Sequence, residues 1–304
     1  MLPLTKIDAA TWPDSALQHL QAIQAEIDAC ADFDLRAKKA DSKWNSKTRS
    51  QAGEQAFAKV REQLKQESVG AGLCCYCEQN EATDIEHVLP KSLFPGQAFA
   101  AHNYLLACKT CNTGHKLDKM AVFVPSGSAV SQSLGRQEEP ASQDMAFIHP
   151  RKENPLALML LDWKTGLFAA HPKTAPAGSR EKQKVLNTIE ILGLNTRDAL
   201  VNCRQNAVKD YQRLLREYVN IKQATNHKEL DEASGGHPEI DPSVPLATEQ
   251  QRLLSCIRAQ IARQPHPAVW VEIWRSPATP KKMREWMGDA QELSPLPGLS
   301  ITFK

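Results

Sequence analysis

The sequence predicts a mainly α protein that carries one small metal-stapled module and short β-hairpins. Three observations point there. Apolar residues recur at three- and four-residue steps in several long segments. Two Cys-x-x-Cys pairs, Cys74/Cys77 and Cys108/Cys111, stand 30 residues apart. Stretches rich in Ser, Pro and Gly separate these regions.

Leu17, Leu20, Ile23, Ile27 and Cys30 form one face of a helix expected over 14–31, which Asp14 or Ser15 can cap. Ala52, Ala56, Phe57, Val60 and Leu64 mark a second over 48–68, ended by Gly70 and Gly72. Between them Arg36, Lys38, Lys39, Lys43, Lys47 and Arg49 surround Trp44, against Asp34 and Asp41. Two readings stay open for this stretch. It is a phosphate-binding surface on which Trp44 stacks on a base, or a solvated helix face with Trp44 in the core. Residues 125–156 read mostly as loop, with an apolar piece at 145–148. Residues 156–163 and 167–170 read as a hairpin around Lys164-Thr165-Gly166. Further helices are expected over 180–192, over 196–222 (capped by Asn195 or Thr196) and over 248–263. Thr279-Pro280 opens a last one, to 287. Residues 229–247 form an acidic, Pro/Gly-rich connection. The expected organisation is an N-terminal helical arm (1–72), a cysteine-framed module (73–122), a loop and helical region (123–228) and a C-terminal helical extension (229–304).

With 41% apolar and 24% charged residues, the chain is not wholly disordered, collagen-like or a coiled-coil rod. Its longest apolar run, 156–161, is far short of the roughly 20 residues of a spanning helix. The N-terminal stretch has no apolar core of a signal peptide, so a cytoplasmic protein without a membrane partner is expected. There the eight cysteines stay reduced and serve metal binding better than disulfides. A net charge of +2 neither suggests nor excludes nucleic acid.

Each Cys-x-x-Cys pair presents two thiolates from one tight turn, and two pairs complete a tetrahedral Zn2+ site. Cys75 is an alternative ligand, but it stands only two residues from Cys77, and Cys74 fits better. Cys30, Cys203 and Cys256 read as small core residues. Four thiolates leave no open coordination position, so this site is structural. The spacer is longer than the 15–20 residues of a zinc ribbon and has room for a functional insert.

That insert carries Asp84-Ile85-Glu86-His87-Val88-Leu89-Pro90, then Asn103, and Asn112 directly after the last ligand. Phosphodiester hydrolysis needs a base for water, a cation for the developing charge and a group that orients the base. His87 suits the base, being largely neutral at pH 7 when unperturbed. Glu86 is a hard oxygen ligand for Mg2+. Asn112 can add a neutral one, and the Asn103 amide can orient a loop or the imidazole. Asp84 reads as a supporting or solvated carboxylate, and Lys91 as a phosphate contact or a solvated lysine.

Glu86-His87-x-x-Pro90, Asn103 and Asn112, framed by the cysteine pairs, resemble the HNH endonucleases of the ββα-metal, treble-clef-like fold. The resemblance implies that Glu86 and Asn112 bind a catalytic Mg2+ or Mn2+, that His87 is the general base and that Asn103 holds the His87 loop. Some members place a further histidine ligand where this chain has Lys116. Either the adjacent His115 substitutes, or Lys116 contacts phosphate. A longer resemblance, over about the first 220 residues, is to the HNH nucleases of Septu-type anti-phage systems, including those carried by some retrons. It is carried by Cys74/Tyr76/Cys77/Glu78, Ile85 to Ser92, His149-Pro150, Asn154-Pro155, Thr188-Ile189, Leu192 to Asn195, and Arg197 and Arg204. The stretch 192–194 departs from that pattern, and 223–304 matches nothing in it. This resemblance implies an effector nuclease acting on DNA or RNA beside an SMC/ABC-type ATPase. The competing expectations are a zinc-ribbon module that binds nucleic acid or protein without catalysis, and a scaffold docked on the ATPase. The cysteine-framed segment sets five acidic residues against four lysines. Phosphate affinity must then come from elsewhere, with 36–49 the best candidate.

Overall fold

Three helices open the described chain in the computed structural model: α1 (Asp14–Asp28), α2 (Phe33–Ser46) and α3 (Gln51–Glu67). The structure describes residues 12–68, 72–124, 129, 131–134, 138–235 and 240–294. Asp32 and Ser50 begin α2 and α3, accepting from the Leu35 and Gly53 amides at 2.8 and 3.1 Å. No side chain caps α1, where Asp14 or Ser15 was expected to; Pro13 precedes it. The expected basic stretch is α2. It buries only Ala40 completely, so little apolar periodicity marks it. Gly70 lies outside the described residues, and α3 ends before Gly72.

The described chain is mainly helical with short antiparallel strand pairs, in two compact units. The first comprises 1–162 and 167–200, and the second 163–166 and 201–304. The expected arm and cysteine-framed module both lie in the first unit. Their union has a clear cause. Leu20, Ile27, Phe57, Val60 and Leu64 of α1 and α3 share one buried core with Ile85, Phe99, Tyr104 and Leu106.

The latter residues surround a hairpin of β1 (Asp84–His87) and β2 (Tyr104–Ala107), paired Asp84↔Ala107 through His87↔Tyr104. Side chains alternate along a strand. Ile85 and His87, with Leu106 and Tyr104 opposite, therefore face the arm, and Asp84 and Glu86 face away from it. After β2 the chain forms a π-helical segment, Thr110–Lys116, with the Leu117 amide bonded to the Asn112 carbonyl at 2.6 Å. β3 (Met120–Phe123) pairs with β4 (Ser131–Leu134), so the expected loop contains a strand. The expected hairpin follows as β5 (Met159–Asp162) and β6 (Leu167–Ala170). Its first residues instead form the short helix α4 (Pro155–Leu158), because Asn154 caps the Leu156 amide at 3.0 Å and Pro155 takes the first helical position. α5 (Arg180–Ile191), capped by Ser179, matches expectation.

The second unit contains most of α6 (Asp198–Gln223), then α7 (His227–Ser234), α8 (Leu246–Arg263), α9 (Pro267–Arg275) and α10 (Lys281–Asp289). α7 lies where a connection was expected. Asn226 caps the Glu229 amide at 2.9 Å, and Gly235, at φ +65°, closes the helix in the left-handed conformation. α9 was not expected because Pro267 to Ile273 are all buried, which erases any amphipathic stripe. Thr279 does not cap α10; its hydroxyl donates to the Ile273 carbonyl at 2.7 Å. Cys256 is exposed and Cys30 and Cys203 are half-buried, so these three are not core residues. Among the described residues, no helix is long and apolar enough to cross a membrane.

Phe57 lies against Trp44 and Phe99 as well as the aliphatic core. Phe57→Ala should lower stability by about 3–5 kcal/mol, measured as a reduced urea midpoint of the first unit.

Candidate functional site

Cys74 and Cys77 sit in the turn before β1, and Cys108 and Cys111 at the end of β2 and in the π segment. Hairpin pairing brings the two turns together. All four thiols are buried, with sulfurs within 4.8 Å of one another. Zn–S bonds of about 2.3 Å in a tetrahedron require sulfurs about 3.8 Å apart, and the Cys77–Cys108 separation is 3.9 Å. The cluster can therefore hold a metal ion such as zinc. Cys75 is not part of it; its amide donates to the Leu106 carbonyl at 3.0 Å. Burial raises the Cys74 thiol well above its usual range, while hydrogen bonds from Cys111, Cys74 and Cys77 hold the Cys108 thiol low. A bound cation removes that conflict by favouring all four thiolates. Arg197, which carried part of the longer resemblance, donates from Nη1 to Cys111 Sγ at 3.2 Å. Asn80 Nδ2 approaches Cys108 Sγ at 3.7 Å.

His87 ends β1 on the arm side. Its Nε2 lies 2.8 Å from the Ala98 carbonyl, which also accepts from the Tyr104 hydroxyl at 2.8 Å. A carbonyl only accepts, so Nε2 carries the proton and Nδ1 keeps a lone pair. The imidazole touches Trp44, with ring centroids 4.2 Å apart, and Tyr104 at 5.2 Å. Burial pushes the His87 pKa down to about 3, against the Ala98 hydrogen bond and with help from Lys91, Lys116 and Lys47. The imidazole is thus neutral. Asn103 holds the following loop. Its Oδ1 accepts from the Leu89 amide at 2.7 Å, and its Nδ2 donates to the Leu89 and Gln97 carbonyls at 2.9 Å each.

On the opposite face of β1, Glu86 meets Lys116. Lys116 Nζ donates to Glu86 Oε1 and to the His87 carbonyl, both at 2.7 Å. Lys116 is completely buried and Glu86 nearly so. Burial raises the Glu86 pKa and Lys116 opposes the rise. The Tyr76 hydroxyl lies 3.5 Å from the same carboxylate oxygen. Asn112 turns its amide N–H to Asp84 Oδ2, at 3.0 Å. As arranged, Glu86 does not fit Mg2+ or Mn2+, because the cation against it is the chain's own ammonium. Full burial also removes Lys116 from the surface where a phosphate contact was expected. His115 lies elsewhere, its Nδ1 so close to Gly193 that a β-carbon there would stand 2.7 Å away.

Lys91 pairs with Asp41 of α2 at 3.0 Å, and Lys47 Nζ sits 4.4 Å over the Trp44 ring. Trp44 is half-buried in an aromatic cluster that includes His87. Sequence reasoning assigned no role to Tyr104 or the Ala98 carbonyl, and passed over Asp84 as a partner for Asn112. The alternation of Asp84 and Glu86 along one strand was the available signal for the last. Of the longer motif, His149 is buried with Nδ1 3.3 Å from the Arg151 amide, and Asn154 is the α4 cap.

No family model matches this chain, and neither a curated protein nor a solved structure is significantly similar to it.

Cys108→Ser should lose bound zinc and destabilise the first unit together, read as metal content and thermal melting. A second expectation concerns pH. Burial drives both His87 and His149 to about 3, below the roughly 6.5 of an unfolded histidine. The unfolded chain therefore takes up protons first as pH falls. Their contribution to stability is full above pH 6.5 and is lost between 6.5 and 3, at about 1.4 kcal/mol per pH unit for each. Urea titrations at pH 7.5 and 5.0 would show it.

Proposed function

We propose that this chain is a nucleic-acid phosphodiester hydrolase of the HNH type, with zinc held structurally by Cys74, Cys77, Cys108 and Cys111. The observation that carries this reading is the state of His87: neutral, oriented through Nε2–H to Ala98, with Nδ1 left as the proton acceptor. Two further features support this reading: a π-helical segment follows hairpin β1–β2, and Asn103 clasps the His87 loop. In the reaction, Nδ1 takes a proton from water as the water oxygen bonds to phosphorus. The bond to the leaving oxygen breaks, and that oxygen takes a proton from solvent. An incoming phosphate offsets the positive potential of Lys91 and Lys47, which raises the basicity of His87 at the moment it is needed. Zinc, when bound, supplies no chemistry to this step; it staples the hairpin ends.

The motif resemblance extends the reading to a cytoplasmic anti-phage effector that works with an SMC/ABC-type ATPase, on DNA or RNA. One observation favours a second reading, a zinc-stapled binding module without catalysis: His87 is only 7% exposed, beneath Trp44. The two separate on incubation with plasmid, single-stranded DNA and tRNA, with Mg2+ or Mn2+, alone and with the protein encoded beside it. Cleavage that His87→Ala reduces by about 10²-fold or more, at unchanged zinc content, supports the hydrolase. Retention of nucleic acid without cleavage supports the binding module. Equal cleavage by His87→Ala and the parent would remove His87 from the mechanism.

A further inference from the structure

The Glu86 side of the expected divalent-cation position is filled from within the chain. Lys116 has no exposed surface, and its ammonium bridges two acceptors on consecutive residues, Glu86 Oε1 and the His87 carbonyl, each at 2.7 Å. One internal cation therefore grips the dipeptide that carries the candidate base. The backbone around it is unusual on both sides. It enters through a π turn, with the i→i+5 bond from Leu117 to Asn112, and leaves through Leu117 at φ +45°, a conformation few non-glycine residues adopt. Such strain persists where the surrounding structure holds it in place. Here it places Lys116 on Asn112's side of the turn. A divalent ion at Glu86 would leave this buried ammonium facing a second positive charge and without its carboxylate, which is strongly unfavourable.

We propose that Lys116 is the resident cation of the Glu86 site. Its ammonium neutralises Glu86 in place of Mg2+ or Mn2+, so no divalent ion binds at Glu86. The inference rests on the hydrolase reading of Glu86-His87, but metal binding can be read without any substrate. The test titrates Mn2+ into the zinc-loaded full-length protein, following free Mn2+ by electron paramagnetic resonance and the Trp44 indole N–H by NMR. Trp44 touches His87, so Mn2+ at Glu86 would broaden its signal. In the parent protein the Trp44 signal should survive an equimolar addition. Lys116→Met, checked for zinc content and folding, should bind Mn2+ about tenfold more tightly than the parent, and Glu86→Gln added to it should abolish the gain. Broadening of Trp44 in the parent overturns the inference, and that arm decides even if Lys116→Met fails to fold. Absence of cleavage under every condition overturns the hydrolase reading instead, and the Mn2+ titration still decides the role of Lys116.

Discussion

The convergence of four sulfurs at the open end of hairpin β1–β2 is the constraint on which the first unit's candidate chemistry depends. The hairpin is only four residues long on each strand, and a two-stranded ribbon of that size is marginal in water by itself. Two sources hold it. The arm covers one face with Phe57, Val60, Leu64 and neighbouring side chains, and a metal held by the four cysteines would tie its approach and exit together. Structural zinc binding is of order 10 kcal/mol, as large as the stability of a whole small domain. A ribbon fastened in this way can carry a buried imidazole on one face and a buried ion pair on the other without coming apart.

Strand alternation then determines how the two functional residues differ. Glu86 and His87 are neighbours in sequence, yet they enter unlike surroundings. His87 joins an aromatic cluster, and the Ala98 carbonyl fixes its tautomer. Glu86 enters a polar pocket closed by Lys116 and Tyr76. Burial disfavours the charged form of both: it lowers the imidazole pKa and raises the carboxyl pKa. The lysine offsets the second effect, and nothing needs to offset the first.

Much of this arrangement was legible in the residues. The cysteine spacing led directly to the four-sulfur cluster, and the choice of Cys74 over Cys75 agrees with the structure. The loop-holding role of Asn103 is also seen in its contacts. The helices with one apolar face were found within a few residues of their ends. Of those that escaped, α2 is solvated over most of its surface, α9 is buried on nearly all sides, and the short α7 buries only Leu230 and Ser234. What one-dimensional spacing did not reveal is the wide turn after Cys111. It carries Lys116 to Glu86 and leaves His115 beside Gly193, a difference made by a single residue of helical phase.

Adjacent thiols at 74 and 75 give that same sensitivity to register a kinetic side. In the folded chain the amide bonds Cys74 to Asn80 and Cys75 to Leu106 sort the two sulfurs, one to the cluster and one to the interior. Before β2 forms, the Leu106 acceptor is not in place, and an incoming zinc ion meets both thiols on equal terms. Zinc captured early through Cys75 would trap a misligated chain that must release the ion before the hairpin can close. Zinc supplied after the strands have paired meets a sorted pair. If the cluster takes zinc, the order in which metal and hairpin arrive would bear on the yield of native protein, with the final state unchanged.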